Sequence, residues 1–194
     1  MYSLNTKFID KEIPYSGVEL RSHFIYDQFD LLGDALVAFA GPCKVDLEKM
    51  VDLEDVKRKS PIFSEKMLHF IGEFFGMDLN RLVLLQRLLI VIFHEELGRQ
   101  LSRAGLTPAP TIHRTGDDLF DGDLKLSVSI ATVTPVSGVI HAGINISSRN
   151  TPVPTKGLQD YKIEAVEFAK AVLKSFAEEM ESAHKAVCKV RGVS

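Results

Sequence analysis

Cysteine is scarce. Cys43 and Cys188 are the only two in 194 residues, and their separation matches no metal-binding spacing such as C-x-x-C. Two thiols in a chain this long read as reduced cytosolic groups rather than as a disulfide framework. Long apolar runs are missing too. Leu88–Phe93 is closed by Arg87 before it and by His94, Glu95 and Glu96 after it, far short of the roughly 20 residues a membrane span needs. Met1 to Ile13 is broken by Lys7, Asp10, Lys11 and Glu12 and lacks the apolar core of a secretion signal. Nor is there a surplus of positive charge. The formal net charge is −3 and the pI is near 6.1, so no global field draws the chain to nucleic acid or to an anionic membrane. No internal repeat or low-complexity segment interrupts it.

What remains is ordinary globular material, 45% hydrophobic and 25% charged. The length suits one domain with a full core. Tyr2 to Phe8 alternates as a strand. Val18 to Phe29 fits either a short helix or a loop. Ala35 to Ala40 is a short apolar run closed by Gly41-Pro42, which suits a buried strand. Val45 to Pro61 is dense in charge and reads as a solvated connector with one helical turn. Ser64 is placed as the cap of a helix reaching Phe75, on the stripe Met67, Leu68, Ile71, Phe74 and Phe75. Asp78 caps the longest helix, which ends before Gly105, and Pro108 and Pro110 mark its exit loop.

Beyond Ile112 the pattern changes. Asp121-Gly122 signals a tight turn. Leu124 to Ala131 alternates, which puts Lys125, Ser127, Ser129 and Ala131 on one face. Val139 to Ile146 alternates again, with His141, Gly143 and Asn145 opposite Ile140, Ala142, Ile144 and Ile146. Tyr161 to Val187 is an amphipathic helix. The expected class is therefore α+β, a mixed or antiparallel sheet covered by helices.

The two alternating strands carry the chemistry. Paired as a hairpin, they would collect Lys125, Ser127, Ser129, His141 and Asn145 over one polar face, with Gly143 leaving room above the sheet. Convergent hydroxyls, an amide, an imidazole and one cation orient a small ligand, and the ammonium suits a phosphate or carboxylate. A merely solvated sheet face is the alternative. Arg21 and His23, after a glycine-containing break, fit an anion-binding loop or an ordinary surface cluster. His69 and Glu73, four apart, form half a metal site or a structural hydrogen bond. His94-Glu95-Glu96 lacks the second histidine of a zinc-protease helix. Cys43 reads as a buried structural thiol.

The segment Arg114-Thr-Gly-Asp-Asp-Leu-Phe-Asp-Gly-Asp-Leu-Lys-Leu-Ser-Val-Ser-Ile130 resembles the biotin–lipoate protein ligase pattern. Asp117-Asp118 stands at that family's Asn-Asp pair, Lys125 at its strand lysine, and Gly143-Ile-Asn145 at its later strand. The resemblance implies a class II aminoacyl-tRNA synthetase-like fold and activation of a carboxylic acid with ATP. It implies that Lys125 contacts the substrate carboxylate or adenylate phosphate. Asp117 and Asp118 would lie near phosphate or Mg²⁺, with Arg114 as a second cation. The sequence departs from the pattern at Asp117 and at Val128, where the family has Asn and Gly. It also lacks both glycine-rich adenylate loops, Arg-Arg-x-Gly-Gly-Gly and Gly-Arg-Gly-x-x-x-Arg. The whole chain is more similar to a family called domain of unknown function 366, on Leu20–Phe24, Gly33–Cys43, Met50–Asp55 and Met67–Phe70.

The expected function is thus an acyl-activating ligase or acyltransferase using Lys125 and Asp118 on a small carboxylate or adenylate. The alternative is a non-catalytic module that binds a small metabolite on a ligase-like fold. The expected partner is a small molecule, not a membrane or nucleic acid, with a homodimer suggested by the apolar long helix.

Overall fold

The computed structural model describes residues 3–105 and 110–193. Tyr2, where the first strand was expected to begin, and Pro108 of the exit loop lie outside the described residues. Among the described residues eight strands and four α-helices follow one another. β1 is Asn5–Phe8, α1 Phe24–Phe29, β2 Ala35–Val45, α2 Leu53–Arg58, β3 Ile62–Phe75 and α3 Leu79–Ala104. β4 is Ile112–Thr115, β5 Asp118–Asp121, β6 Leu124–Lys125, β7 Ser127–Val133, β8 Ser137–Asn145 and α4 Ala165–Lys189. Five strands form one sheet in the order β1-β2-β3-β8-β7, and β4-β5-β6 form a small second sheet. β1 runs parallel to β2 and the other large-sheet pairs are antiparallel, so the sheet is mixed, as expected.

The main correction concerns β3. The segment placed as a helix from Ser64 to Phe75 is a central strand fourteen residues long. Leu68, Phe70 and Phe74 enter the core on one face, and Met67 and Ile71 the core on the other. A strand buried on both faces shows no clean alternation. Its unbroken apolar run then matches a helical stripe by chance, and periodicity cannot separate the two. β2 likewise continues through Gly41-Pro42 to Val45, with a bulge between Gly41 and Cys43. The charged connector holds a 3-10 turn at Leu47–Lys49 as well as α2, one turn more than expected.

The two long helices lie on one face of the large sheet. Phe70, Phe74, Phe93, Phe168 and Phe176 are wholly buried there. Asp78 caps α3 by accepting from the Arg81 N–H, and Gly105 ends it in the left-handed conformation, both as the sequence indicated. Truncating a phenylalanine such as Phe93 in this layer costs about 3–5 kcal/mol. The opposite face is packed by α1, through Phe24 and Ile25, and by Tyr15, which reaches His141 of β8. Beside them, toward β7, lies a cavity.

Candidate ligand-binding site

Lys125 sits at the seam between the two sheets. Its N–H donates to the Pro154 carbonyl at 3.0 Å and its carbonyl accepts from Lys156 at 3.1 Å. The next residue, Leu126, donates to Leu119 and accepts from Asn145. The backbone carrying the ammonium is thus held by three neighbouring segments at once. Asp121 locks the same corner by accepting from Thr111 N–H, Lys156 Nζ and Tyr161 Oη, each at 2.8 Å. These bonds hold the Asp121 carboxyl below its ordinary pKa although burial opposes them. Lys125 Nζ lies 2.7 Å from Asp118 Oδ2. Burial raises the Asp118 pKa, Lys125 opposes the rise, and Asp117 and Asp55 add to it. Asp117 is held from α3, by Arg87 at 3.3 Å and by Gln86 Nε2 at 3.1 Å.

These groups border a cavity of about 450 Å³ over the face of the sheet opposite the two long helices, a volume suited to a small organic ligand. Met67, Val128, Ile130 and His141 belong to its sheet side, and Val45, Met50, Ile62 and Phe63 to the connector side. Lys49, Arg58 and Lys125 border it as cations, against the carboxylates of Asp52, Glu54, Asp55, Asp117 and Asp118. Asn145 also borders the cavity. It is 4% exposed, and its Oδ1 has no hydrogen-bond partner. A buried amide oxygen left unmet costs about 1–3 kcal/mol.

Not all the expected residues converge. His141 faces the cavity, but Ser127 and Ser129 are turned to the helix side of the sheet. The Ser127 hydroxyl accepts from Leu119 N–H, and Ser129 Oγ meets Gln86 of α3 and the Asp117 carbonyl. Both residues still border the cavity. The cause is a break at Leu126, which turns into the helix-side core and restarts the alternation one residue out of phase. Val128 and Ile130, paired with Gly143 and His141, therefore take the face assigned to the serines. Arg114 bonds the Gly116 carbonyl at the exposed surface, outside the cavity. Arg21 and His23 lie at the far end of the sheet. Arg21 pairs with Asp27, and His23 N–H donates to buried Glu73. His69 and Glu73 share a strand face rather than a helix face and bond separate partners, so they form no common site.

Tyr15, Gln86, Arg87 and the Pro154 loop were missed, while His69, read as half a metal site or a structural hydrogen bond, makes the hydrogen bonds. Tyr15 stacks on His141 at 3.8 Å between ring centroids. His69 Nδ1 lies 3.0 Å from His141 Nε2, and His69 Nε2 lies 3.2 Å from the Gly41 carbonyl. Burial lowers both histidines, His69 to about 4. The one available signal was the polar pair Gln86-Arg87 inside an otherwise apolar helix. The Cys43 thiol is pushed up to about 12 by burial, with Glu19 adding, which fits a structural thiol and not a nucleophile.

A family model described as Domain of unknown function (DUF366) matches residues 4–191. The chain belongs to this family. A solved structure of a protein of unknown function from Pyrococcus horikoshi is 37% identical with a TM-score of 0.89. That match covers 99% of this chain and 100% of the other. More distant structures carry the same fold. One is a bi-partite lipoate protein ligase from Thermoplasma acidophilum, with 13% identity, a TM-score of 0.59, and 93% and 85% of the two chains covered. Another is a biotin protein ligase from Aquifex aeolicus, with 14% identity, a TM-score of 0.57, and 91% and 68% covered. The DUF366 chain thus has the class II synthetase-like fold of these ligases. Among the described residues no helix is long and apolar enough to cross a membrane.

Proposed function

We propose that the protein binds a small carboxylic acid, or its adenylate, in the cavity beside Lys125, and acts as an acyl-activating or acyl-transferring enzyme. The observation that carries this is the Lys125 ammonium, which pairs with Asp118 at 2.7 Å and stands on backbone held by three segments. A ligand carboxylate replacing Asp118 exchanges one anionic partner for another and strands no charge. The displaced Asp118 carboxyl, buried and crowded by Asp117 and Asp55, then takes up a proton. Asn145, with its unmet amide oxygen in the same cavity, supplies a second polar contact.

The fold's ligase neighbours raise the question of ATP and Mg²⁺. The residues do not fit a magnesium triphosphate as they stand. Asp117 and Asp118 are committed to Arg87, Gln86 and Lys125. Carboxylates outnumber cations around the cavity, and no group of three metal-holding side chains occurs among the described residues. No step is therefore routed through ATP, and the acyl donor is written as substrate. The same charge balance favours the second reading, a module that binds a metabolite without chemistry.

Exchange of labelled pyrophosphate into ATP, across a panel of carboxylic acids, separates the two readings. Carboxylate-dependent exchange supports activation; carboxylate binding without exchange or transfer supports the module. Lys125→Met should weaken carboxylate binding by about 2 kcal/mol, roughly thirty-fold. Unchanged affinity in that variant refutes the reading.

A further inference from the structure

The tautomers of the two buried histidines follow from the geometry. The Gly41 carbonyl can only accept, so His69 Nε2, 3.2 Å away, carries the proton and donates to it. His69 Nδ1 is then an acceptor. The atom facing it at 3.0 Å, His141 Nε2, must donate. That leaves the proton-free lone pair of His141 on Nδ1, which bonds no described residue. Tyr15 covers one face of the imidazole at 3.8 Å, and Nε2 is taken, so Nδ1 is the one polar atom this ring offers the cavity it borders. His141 is 3% exposed, and water access there is correspondingly poor. The residues around it on the cavity side, Met67, Val128 and Ile130, supply no donor. The titratable groups packed against it are His69, which bonds Nε2, and Tyr15, which stacks on the ring, and neither donates to Nδ1.

We infer that His141 Nδ1 sets the ligand's specificity, selecting carboxylic acids whose far end carries an N–H donor over acids with a wholly apolar tail. This rests on the Lys125 reading above and adds the identity of the other end. The spacing agrees. Lys125 adjoins Asn145 through the Leu126 carbonyl, and His141 lies four residues back along β8, about 13 Å at strand rise. A ligand on the order of 10 Å long covers most of that distance. Between the two ends the Met67 sulfur fills the space above Gly143, so the ligand passes over a thioether.

Biotin and lipoate make a matched pair of probes. Both are five-carbon acids ending in a five-membered ring system, one bearing ureido N–H groups and the other a dithiolane without donors. Calorimetric titration of the wild-type chain should show biotin bound at least about ten-fold more tightly than lipoate, the factor expected when a buried acceptor is met rather than left bare. His141→Phe keeps the Tyr15 stack and should erase that gap by weakening biotin only. Lys125→Met should weaken both acids alike. Should the His141 variant not fold, nitrogen-15 spectra of wild-type imidazoles decide. Nδ1 of His141 should give the resonance of an unprotonated nitrogen and shift when biotin is added. Equal affinity for the two acids, or an unmoved Nδ1 resonance, overturns the His141 inference while Lys125 dependence leaves the carboxylate site standing. Failure of both acids to bind overturns both.

Discussion

Acidification from pH 7.5 to pH 5 should destabilise this fold through the buried histidine pair. His69 is ordinary in the unfolded chain, near 6.5, and about 4 when folded, because burial disfavours the imidazolium. Its folded pKa is depressed, so its contribution is fully present above pH 6.5. It is lost as the pH falls toward 4 and stays constant below. At pH 5 the unfolded chain holds a proton on this residue that the native state refuses. The difference is about 2 kcal/mol for His69. His141, also lowered by burial and by His69, acts in the same direction. Asp118, whose folded pKa is raised by burial, takes up a proton more readily in the folded chain and offsets part of the drop. With a urea m-value of about 2 kcal/mol/M, the His69 share moves the unfolding midpoint down by about 1 M, and His141 deepens the drop. His69→Gln can still donate to the Gly41 carbonyl and accept from His141, but it cannot titrate. The variant should lose the His69 share of the drop. Equal urea midpoints at the two pH values, or an unchanged drop in the glutamine variant, would refute the argument.

Asn145→Leu should raise stability by about 1 kcal/mol by removing an orphaned acceptor, seen as a higher melting temperature, while carboxylate binding is lost; a fall in stability counts against Asn145 being an unmet ligand contact. Asp121→Asn should lower stability by about 2 kcal/mol, since it weakens bonds from Thr111, Lys156 and Tyr161, and titration should show weaker carboxylate binding with it. Binding of biotin should tighten as the pH falls toward the raised Asp118 pKa, because proton uptake by that carboxyl is part of ligand entry; calorimetry in buffers of different ionisation heat reads that proton directly.

Much of the architecture was legible because local chemistry agreed with tertiary packing. Asp78 and Gly105 bracket α3, and the split of β8 into an apolar and a polar face survives intact. β3 was not legible, since burial on both faces removes the alternation that marks a strand. The site was legible in part. Lys125, Asp118, Asp117, His141 and Asn145 do border one cavity. The serines were misplaced because the alternation runs unbroken in sequence past Leu126, whereas the chain changes sheets there. Tyr15 and the Pro154 loop reach the site across long stretches of chain and left no spacing to detect.

The break at Leu126 has a consequence for how such a cavity diversifies. One residue gained or lost at that point would turn β7 over, exchanging Val128 and Ile130 for the hydroxyls at 127 and 129 along the ligand wall. A greasy lining becomes a hydroxylated one in a single step, without replacing any side chain. Insertions and deletions at this joint, more than point substitutions along the strand, are where chains of this build would change what they hold.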